Sequence, residues 1–313
     1  MIRILTTQRG SHTIKQFLKR DGARQKARIE FATYVNKARA GVKGPATYVF
    51  ADLERVAPPR LGSLAKEWSE LEAAGGNRLL NHPVRSLRRY ELLRTLHEAG
   101  INQFNVYRLD EVRRPARYPV FIRREQEHDG AISAILEGPE QYDRALAAIA
   151  AQPVSRDHLL AVEFCDTRDR NGIVRKYGAA CIAGEIKPFH IYPSRLLIVK
   201  HATDAIVDAD TAAEEMRYFD ENPHEKQLRE IFALARIDYG RIDYGFRKGR
   251  MQVWEINTNP FWIVDGEPHP LRLPLLERRA DWLAQAFARI DTKQEGPSRP
   301  RRAVPQPTEP DRT

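Results

Sequence analysis

Short apolar runs alternate with amphipathic stretches along the chain, and that alternation predicts a mixed α/β protein. Ile2–Thr6 reads as a strand, followed by a basic, helix-like stretch from about Thr13 to Ala40. Thr47–Asp52 reads as a second strand, Leu61–Ala74 as a helix and Arg78–Asn81 as a short strand. Pro58-Pro59 and Gly75-Gly76 punctuate these elements, because proline fixes φ and glycine supplies the backbone freedom that ends a helix. This order predicts a parallel sheet in an α/β domain spanning residues 1–84.

A second region opens at His82-Pro83, with Ser86 placed to cap a helix that runs to Glu98 and Gly100 placed to stop it. Val106–Leu109, Pro119–Arg123 and Ala131–Leu136 read as strands, and Pro139–Ala151 as a helix. Leu159–Phe164 is almost continuously apolar, as an interior strand requires. Val174–Ile182 and Ile186–Ile191 form a hairpin across Ala183-Gly184-Glu185, and helices follow near Ala212–Phe219 and His224–Ala235. Arg241–Phe246 and Met251–Asn257 make a second hairpin that turns over Lys248-Gly249, and an amphipathic helix closes the fold at Leu275–Ile290. The expected division is 1–84, then 85–290 as two α+β lobes (85–164 and 165–290), then a Pro- and charge-rich tail at 291–313 that reads as disordered.

Composition narrows the class without naming a chemistry. At 313 residues, 42% apolar and 30% charged, the chain has ordinary globular proportions. Cys165 and Cys181 are too few for a disulfide framework, and no apolar run approaches the roughly 20 residues that span a bilayer. The first residues run into Arg9, His12 and Lys15 without the apolar core of a signal peptide, so a cytoplasmic location is expected. The net charge of +9 is locally concentrated: ten arginines face four acids between Val84 and Arg124. That density suits a phosphate-binding wall as well as a nucleic-acid patch. No aromatic-basic RNA motif, glycine-rich Walker loop, kinase catalytic loop or Gly-x-Ser-x-Gly elbow is present.

The chemistry concentrates in the last hairpin. Glu255 and Asn257 are two apart and leave an extended strand on the same face, as do Arg241 and Asp243 on the strand before it. If Arg247 pairs with Met251 across a three-residue loop, Asp243 faces Glu255 and Arg241 faces Asn257, so that hard oxygen donors converge as magnesium polyphosphate requires. A two-residue loop would pair Asp243 with Trp254 and turn Glu255 to the other face. The polar solvent face of an ordinary hairpin would show the same alternation.

Arg241-Ile242-Asp243-Tyr244 with Trp254-Glu255-Ile256-Asn257-Thr258-Asn259-Pro260 resembles the C-terminal motif of ATP-grasp ligases, the superfamily of the D-alanine–D-alanine ligases. The resemblance implies that Asp243, Glu255 and Asn257 bind two magnesium ions and that Arg241 steadies the acyl-phosphate and its tetrahedral successor. It extends upstream to about Arg85, where Arg89 and Arg123 stand at positions at which the family has phosphate-binding lysines. Glu163-Phe164-Cys165-Asp166 falls where the lobes join and adenine and ribose bind. Arg175 falls where a basic residue reaches the transferred phosphate or the substrate, with Lys176 pointing away. His128-Asp129-Gly130 occupies the place of a phosphate-covering loop, and His190, Ser194 and Lys200 flank a segment that could shape the acceptor pocket.

The implied fold is ATP-grasp, an N-terminal α/β domain followed by two α+β lobes that hold ATP between them. The implied reaction joins a carboxylate to an amine or similar nucleophile with ATP and Mg2+. An ATP-grasp kinase and a catalytically inactive nucleotide-binding protein stay open, because arginine replaces lysine twice. The expected partner is a small-molecule or peptide substrate, not a membrane or nucleic acid, and a homodimer stays open.

Overall fold

The computed structural model describes residues 1–20, 26, 28–35, 45–128, 130–151, 158–199, 202–263 and 268–292. Asp129, Lys200, much of the 13–40 stretch and the tail from residue 293 therefore lie outside the described residues.

Four strands build the first sheet: β1 (Ile2–Thr6), β2 (Ile29–Thr33), β3 (Thr47–Phe50) and β4 (Arg78–Leu80), in the order β2-β1-β3-β4 and all parallel. Helix α1 (Ser11–Lys19) and helix α2 (Pro58–Ala73) cover opposite faces. The basic stretch is not one helix. Ile29-Glu30-Phe31-Ala32-Thr33 has the β-branched and aromatic content of a strand, and it pairs along the whole of β1.

Helix α3 (Arg89–Glu98) follows, and its start differs from expectation. Ser86 does not cap it; the hydroxyl donates to Arg236 O at 2.8 Å, tying the entry of α3 to a distant turn. The second sheet, ordered β5-β7-β6, is antiparallel and consists of β5 (Val106–Arg108), β6 (Val120–Arg124) and β7 (Leu159–Glu163). Helix α4 (Pro139–Ala150) packs on one face through Tyr142 and Ile149. No strand forms at 131–136: that segment makes only isolated bridges, Arg123 with Ala131 and Val120 with Leu136.

The third sheet contains β8 (Val174–Ile182), β9 (Glu185–Ser194), β10 (Tyr239–Arg247) and β11 (Arg250–Asn257), all antiparallel in the order β11-β10-β8-β9. Both hairpins close with two-residue turns, Ala183-Gly184 and Lys248-Gly249, in which every central residue has positive φ, from 50° to 85°. That is the mirror-image turn whose twist matches the strands it joins. Helix α5 (Ala209–Glu221), helix α6 (Glu225–Ala235) and helix α7 (Leu273–Arg289) complete the structure.

Alternation along the third sheet sends its faces to different tasks. Ala179, Cys181, Ile242, Tyr244 and Val253 pack under α3 and α6. On the other face, Ala180, Ile182 and Tyr239 join Ile2, Ile4, Phe17 and Phe287 in one core shared with the first sheet and α7. Arg241 and Asp243 continue that second face beyond the core.

Candidate active site

A cavity of about 400 Å³ lies between the second and third sheets, with the N-terminal domain at one end. Phe121, Arg123 and Val162 line it from the second sheet, Lys176, Arg241, Asp243, Glu255 and Asn257 from the third, and His12, Thr13 and Arg55 from the first domain.

The strand pairing expected from the sequence, Asp243 with Glu255 and Arg241 with Asn257, is present, but a three-residue loop does not produce it. Arg247 pairs with Arg250 across the two-residue turn, and the register runs through Tyr244 opposite Val253. By itself it would then place Asp243 against Trp254. The register shifts there: Trp254 is an extra residue, and Asp243 pairs with Glu255 and Arg241 with Asn257. The bulge therefore re-aims the carboxylate, as such insertions do beside binding sites. Gly245 makes room for it, since a Cβ there would stand 2.7 Å from the Trp254 ring. The displaced indole lines the cavity and touches apolar clusters of both lobes.

Asp243 is 2% exposed and ringed by nitrogen. Its Oδ2 lies 2.8 Å from Lys176 Nζ, and its Oδ1 lies 3.3 Å from Arg241 Nε and 3.8 Å from His190 Nε2. The Oδ1 atom is buried without a hydrogen bond. Arg241 Nη1 donates to Phe261 O at 3.0 Å, which fixes the guanidinium at the cavity wall. His190 stacks on Tyr192 with ring centroids 4.0 Å apart, and burial pushes its pKa well below the ordinary imidazole value, so it is neutral.

Glu255 is paired with Arg89 and lies 3.7 Å from Arg123. Burial alone would raise its pKa, but Arg89, Arg123, His128 and Lys176 together outweigh burial and hold the carboxyl well below its usual range. Burial and the neighbouring Arg89 lower Arg123 to about 9, which leaves it charged at neutral pH. Burial likewise pushes His128 down to about 3, so the imidazole beside Arg89 is neutral.

The other expected residues divide. Glu163, Phe164 and Cys165 line the cavity, with the Glu163 carboxylate held by Tyr107 Oη at 2.7 Å, Asn105 N at 2.9 Å and Arg117 Nη2 at 2.5 Å. Asp166 stands outside, half-buried and paired with Arg168. Arg89 sits behind the wall, 3% exposed, donating to Glu125 O at 2.6 Å and Glu127 O at 2.7 Å as well as to Glu255.

Arg175 also stands outside, and here the expected face of β8 was reversed. Its guanidinium reaches away from the cavity to Asp169 at 2.5 Å and Glu214 at 2.8 Å. Lys176 is the inward residue. Gly178 pairs with Asp243, so the position two before it shares the Asp243 face. Alternation along β8 separates the two basic residues, but only the pairing with β10 says which of them points in.

Sequence reading also missed what joins β11 to the first domain. Thr258 N and Oγ1 donate to the two oxygens of buried Glu54 at 2.5 and 2.6 Å, and Asn259 Nδ2 donates to Gly10 O at 3.1 Å. Asp52, Glu54 and His128 bring potential ligand atoms within 4.8 Å of one another, but Thr7 and Arg55 occupy Asp52, and Thr258 occupies Glu54. They act as a hydrogen-bonded lock.

The chain has the ATP-grasp fold. It superposes on D-alanine–D-alanine ligase from Bacillus anthracis complexed with ATP with a TM-score of 0.53, at 14% identity, over 95% of this chain and 100% of that one. A second structure of that Bacillus anthracis ligase gives 0.52 at 13% identity with the same coverage. No family model and no curated protein matches the sequence. No helix among the described residues is long and apolar enough to cross a membrane.

Proposed function

We propose that the protein is an ATP- and magnesium-dependent ligase that joins a carboxylate to an amine or similar nucleophile through an acyl-phosphate. The observation that carries this reading is the convergence of Arg241, Asp243, Glu255 and Asn257 with Arg123 and Lys176 on one cleft between two antiparallel sheets. The fold it shares with a ligase complexed with ATP supports it.

Each part of the cavity has chemistry suited to part of the reactants. Leu93, Phe104, Val162, Phe164, Val174 and Trp254 offer an apolar slot for a purine. Arg123 and Lys176 offer positive charge to phosphates. Asp243, Glu255 and Asn257 present the hard oxygens magnesium prefers, and the Oδ1 of Asp243, buried without a hydrogen bond, fits a cation that completes it. Bound there, magnesium would neutralise phosphate charge.

In this reading a substrate carboxylate oxygen attacks the γ-phosphorus and ADP leaves. The amine then attacks the acyl carbon, loses a proton and expels phosphate. Arg241, held by Phe261 O beside Asp243, stabilises the oxyanion that develops at that carbon. Trp254 and the surrounding apolar side chains exclude water that would hydrolyse the acyl-phosphate.

The engagement of Arg89 by two carbonyls and Glu255 favours one competing reading, a nucleotide binder without turnover. A panel of carboxylates and amines with Mg-ATP separates the outcomes. Equal release of ADP and phosphate that requires both a carboxylate and an amine marks ligation, and ADP without free phosphate marks a kinase. Calorimetric binding of Mg-ATP with no turnover across the panel marks the inactive binder.

A further inference from the structure

The oxygens around the cleft are already partly spent on protein cations. Lys176 Nζ takes Asp243 Oδ2 at 2.8 Å and makes a second contact to Val199 O at 3.3 Å, with its side chain 12% exposed. Arg89 takes Glu255 Oε2 and is anchored by two backbone carbonyls. Two ions held about 3.5–4 Å apart clamp the attacking and leaving oxygens of an in-line displacement, and a carboxylate bridges such a pair most readily through its two oxygens. What remains is Asp243 Oδ1, which accepts no hydrogen bond although Arg241 Nε lies 3.3 Å away, with Glu255 Oε1 and with Asn257 Oδ1, the last accepting from Asn259 N at 2.8 Å.

We propose that the site holds one magnesium per bound nucleotide, with the Lys176 ammonium standing beside Asp243 where a second ion would go. With one oxygen of each carboxylate taken by a protein cation, neither can bridge two ions through its two oxygens, and the three protein oxygens left suit a single octahedron completed by phosphate oxygens and water. Charge leads to the same count. Arg55, Arg123, Lys176 and Arg241 outnumber Glu163, Asp243 and Glu255 along the cavity wall, with Arg89 behind Glu255, so a polyphosphate meets a net positive cleft that needs less divalent charge. Displacing Lys176 would also leave a largely desolvated ammonium without its carboxylate, which is unfavourable. Lysine suits the role because its ammonium is a compact point charge, unlike the planar guanidinium of its neighbours.

This inference rests on the nucleotide-dependent reading above, and its test is separable from that reading. Manganese replaces magnesium, and the non-hydrolysable analogue AMP-PNP replaces ATP. Equilibrium dialysis counts manganese per bound nucleotide, and low-temperature electron paramagnetic resonance distinguishes an isolated ion from a coupled pair. The wild-type chain is expected to bind one manganese with an isolated six-line spectrum. Lys176→Met is expected to bind two with a coupled spectrum, and Lys176→Arg to stay at one. Two coupled ions in the wild-type chain would overturn the proposal while leaving the ligase reading intact. A count of one in Lys176→Met, with its circular dichroism unchanged, would overturn the role of Lys176. Failure of the wild-type chain to retain AMP-PNP at all would overturn the nucleotide reading and this inference together.

Discussion

Asn102 holds the backbone of Val253 by a pair of hydrogen bonds: its Nδ2 donates to Val253 O at 2.9 Å, and its Oδ1 accepts from Val253 N at 2.8 Å. Val253 is the residue before the bulge on the edge strand of the third sheet. A loop side chain thus occupies the place a neighbouring strand would take, at the point where the register must shift to bring Glu255 against Asp243.

Replacing Asn102 with Ala leaves two buried backbone groups unpaired. The cost is expected to be about 2–4 kcal/mol, readable by urea denaturation, because each unsatisfied group loses its desolvation compensation. Affinity for Mg-ATP should fall with it. A variant as stable as wild type would show that the bulge holds without this clamp.

Glu255→Gln keeps an oxygen for Arg89 but removes the charge. The variant is expected to fold, to lose about 1–3 kcal/mol of stability and to consume no ATP in the presence of magnesium. Phosphate release at the wild-type rate would contradict the site assignment.

Arg175 and Arg123 should separate cleanly. Arg175→Ala removes half-exposed ion pairs to Asp169 and Glu214 and is expected to change stability by no more than about 1 kcal/mol, with ATP affinity unaltered. Arg123→Ala removes a buried cation from the cavity wall and is expected to weaken ATP binding about tenfold or more, measured by calorimetry.

Acid stability should depend in part on His224, which is packed among Tyr177, Tyr218 and Phe246 with Nδ1 2.9 Å from Tyr244 Oη. Burial lowers its pKa from 6.5, so as pH falls through 6.5 the unfolded chain takes up a proton before the folded chain does. The stabilisation is fully present above pH 6.5 and is lost below it. His224→Phe is therefore expected to flatten the fall in melting temperature between pH 7.5 and 5.5; equal slopes in the two proteins would exclude this group.

The sequence by itself determined three of the four strands of the parallel first sheet, the order of the hairpins and the set of metal-binding candidates, because each rests on local rules. Period-two alternation puts Arg241 with Asp243 and Glu255 with Asn257, and Lys248-Gly249 supplies the positive φ of a tight turn. Tertiary structure decided what depends on partners far along the chain. Alternation separates Arg175 from Lys176, but the pairing of Gly178 with Asp243 chose the lysine for the cleft. A two-residue turn by itself turns Glu255 away. Only the extra residue at Trp254, seated over Gly245 and clamped by Asn102 about 150 positions earlier, brings the carboxylate back. Strand register is a property of two chains of contacts at once, so no single stretch of residues could state it.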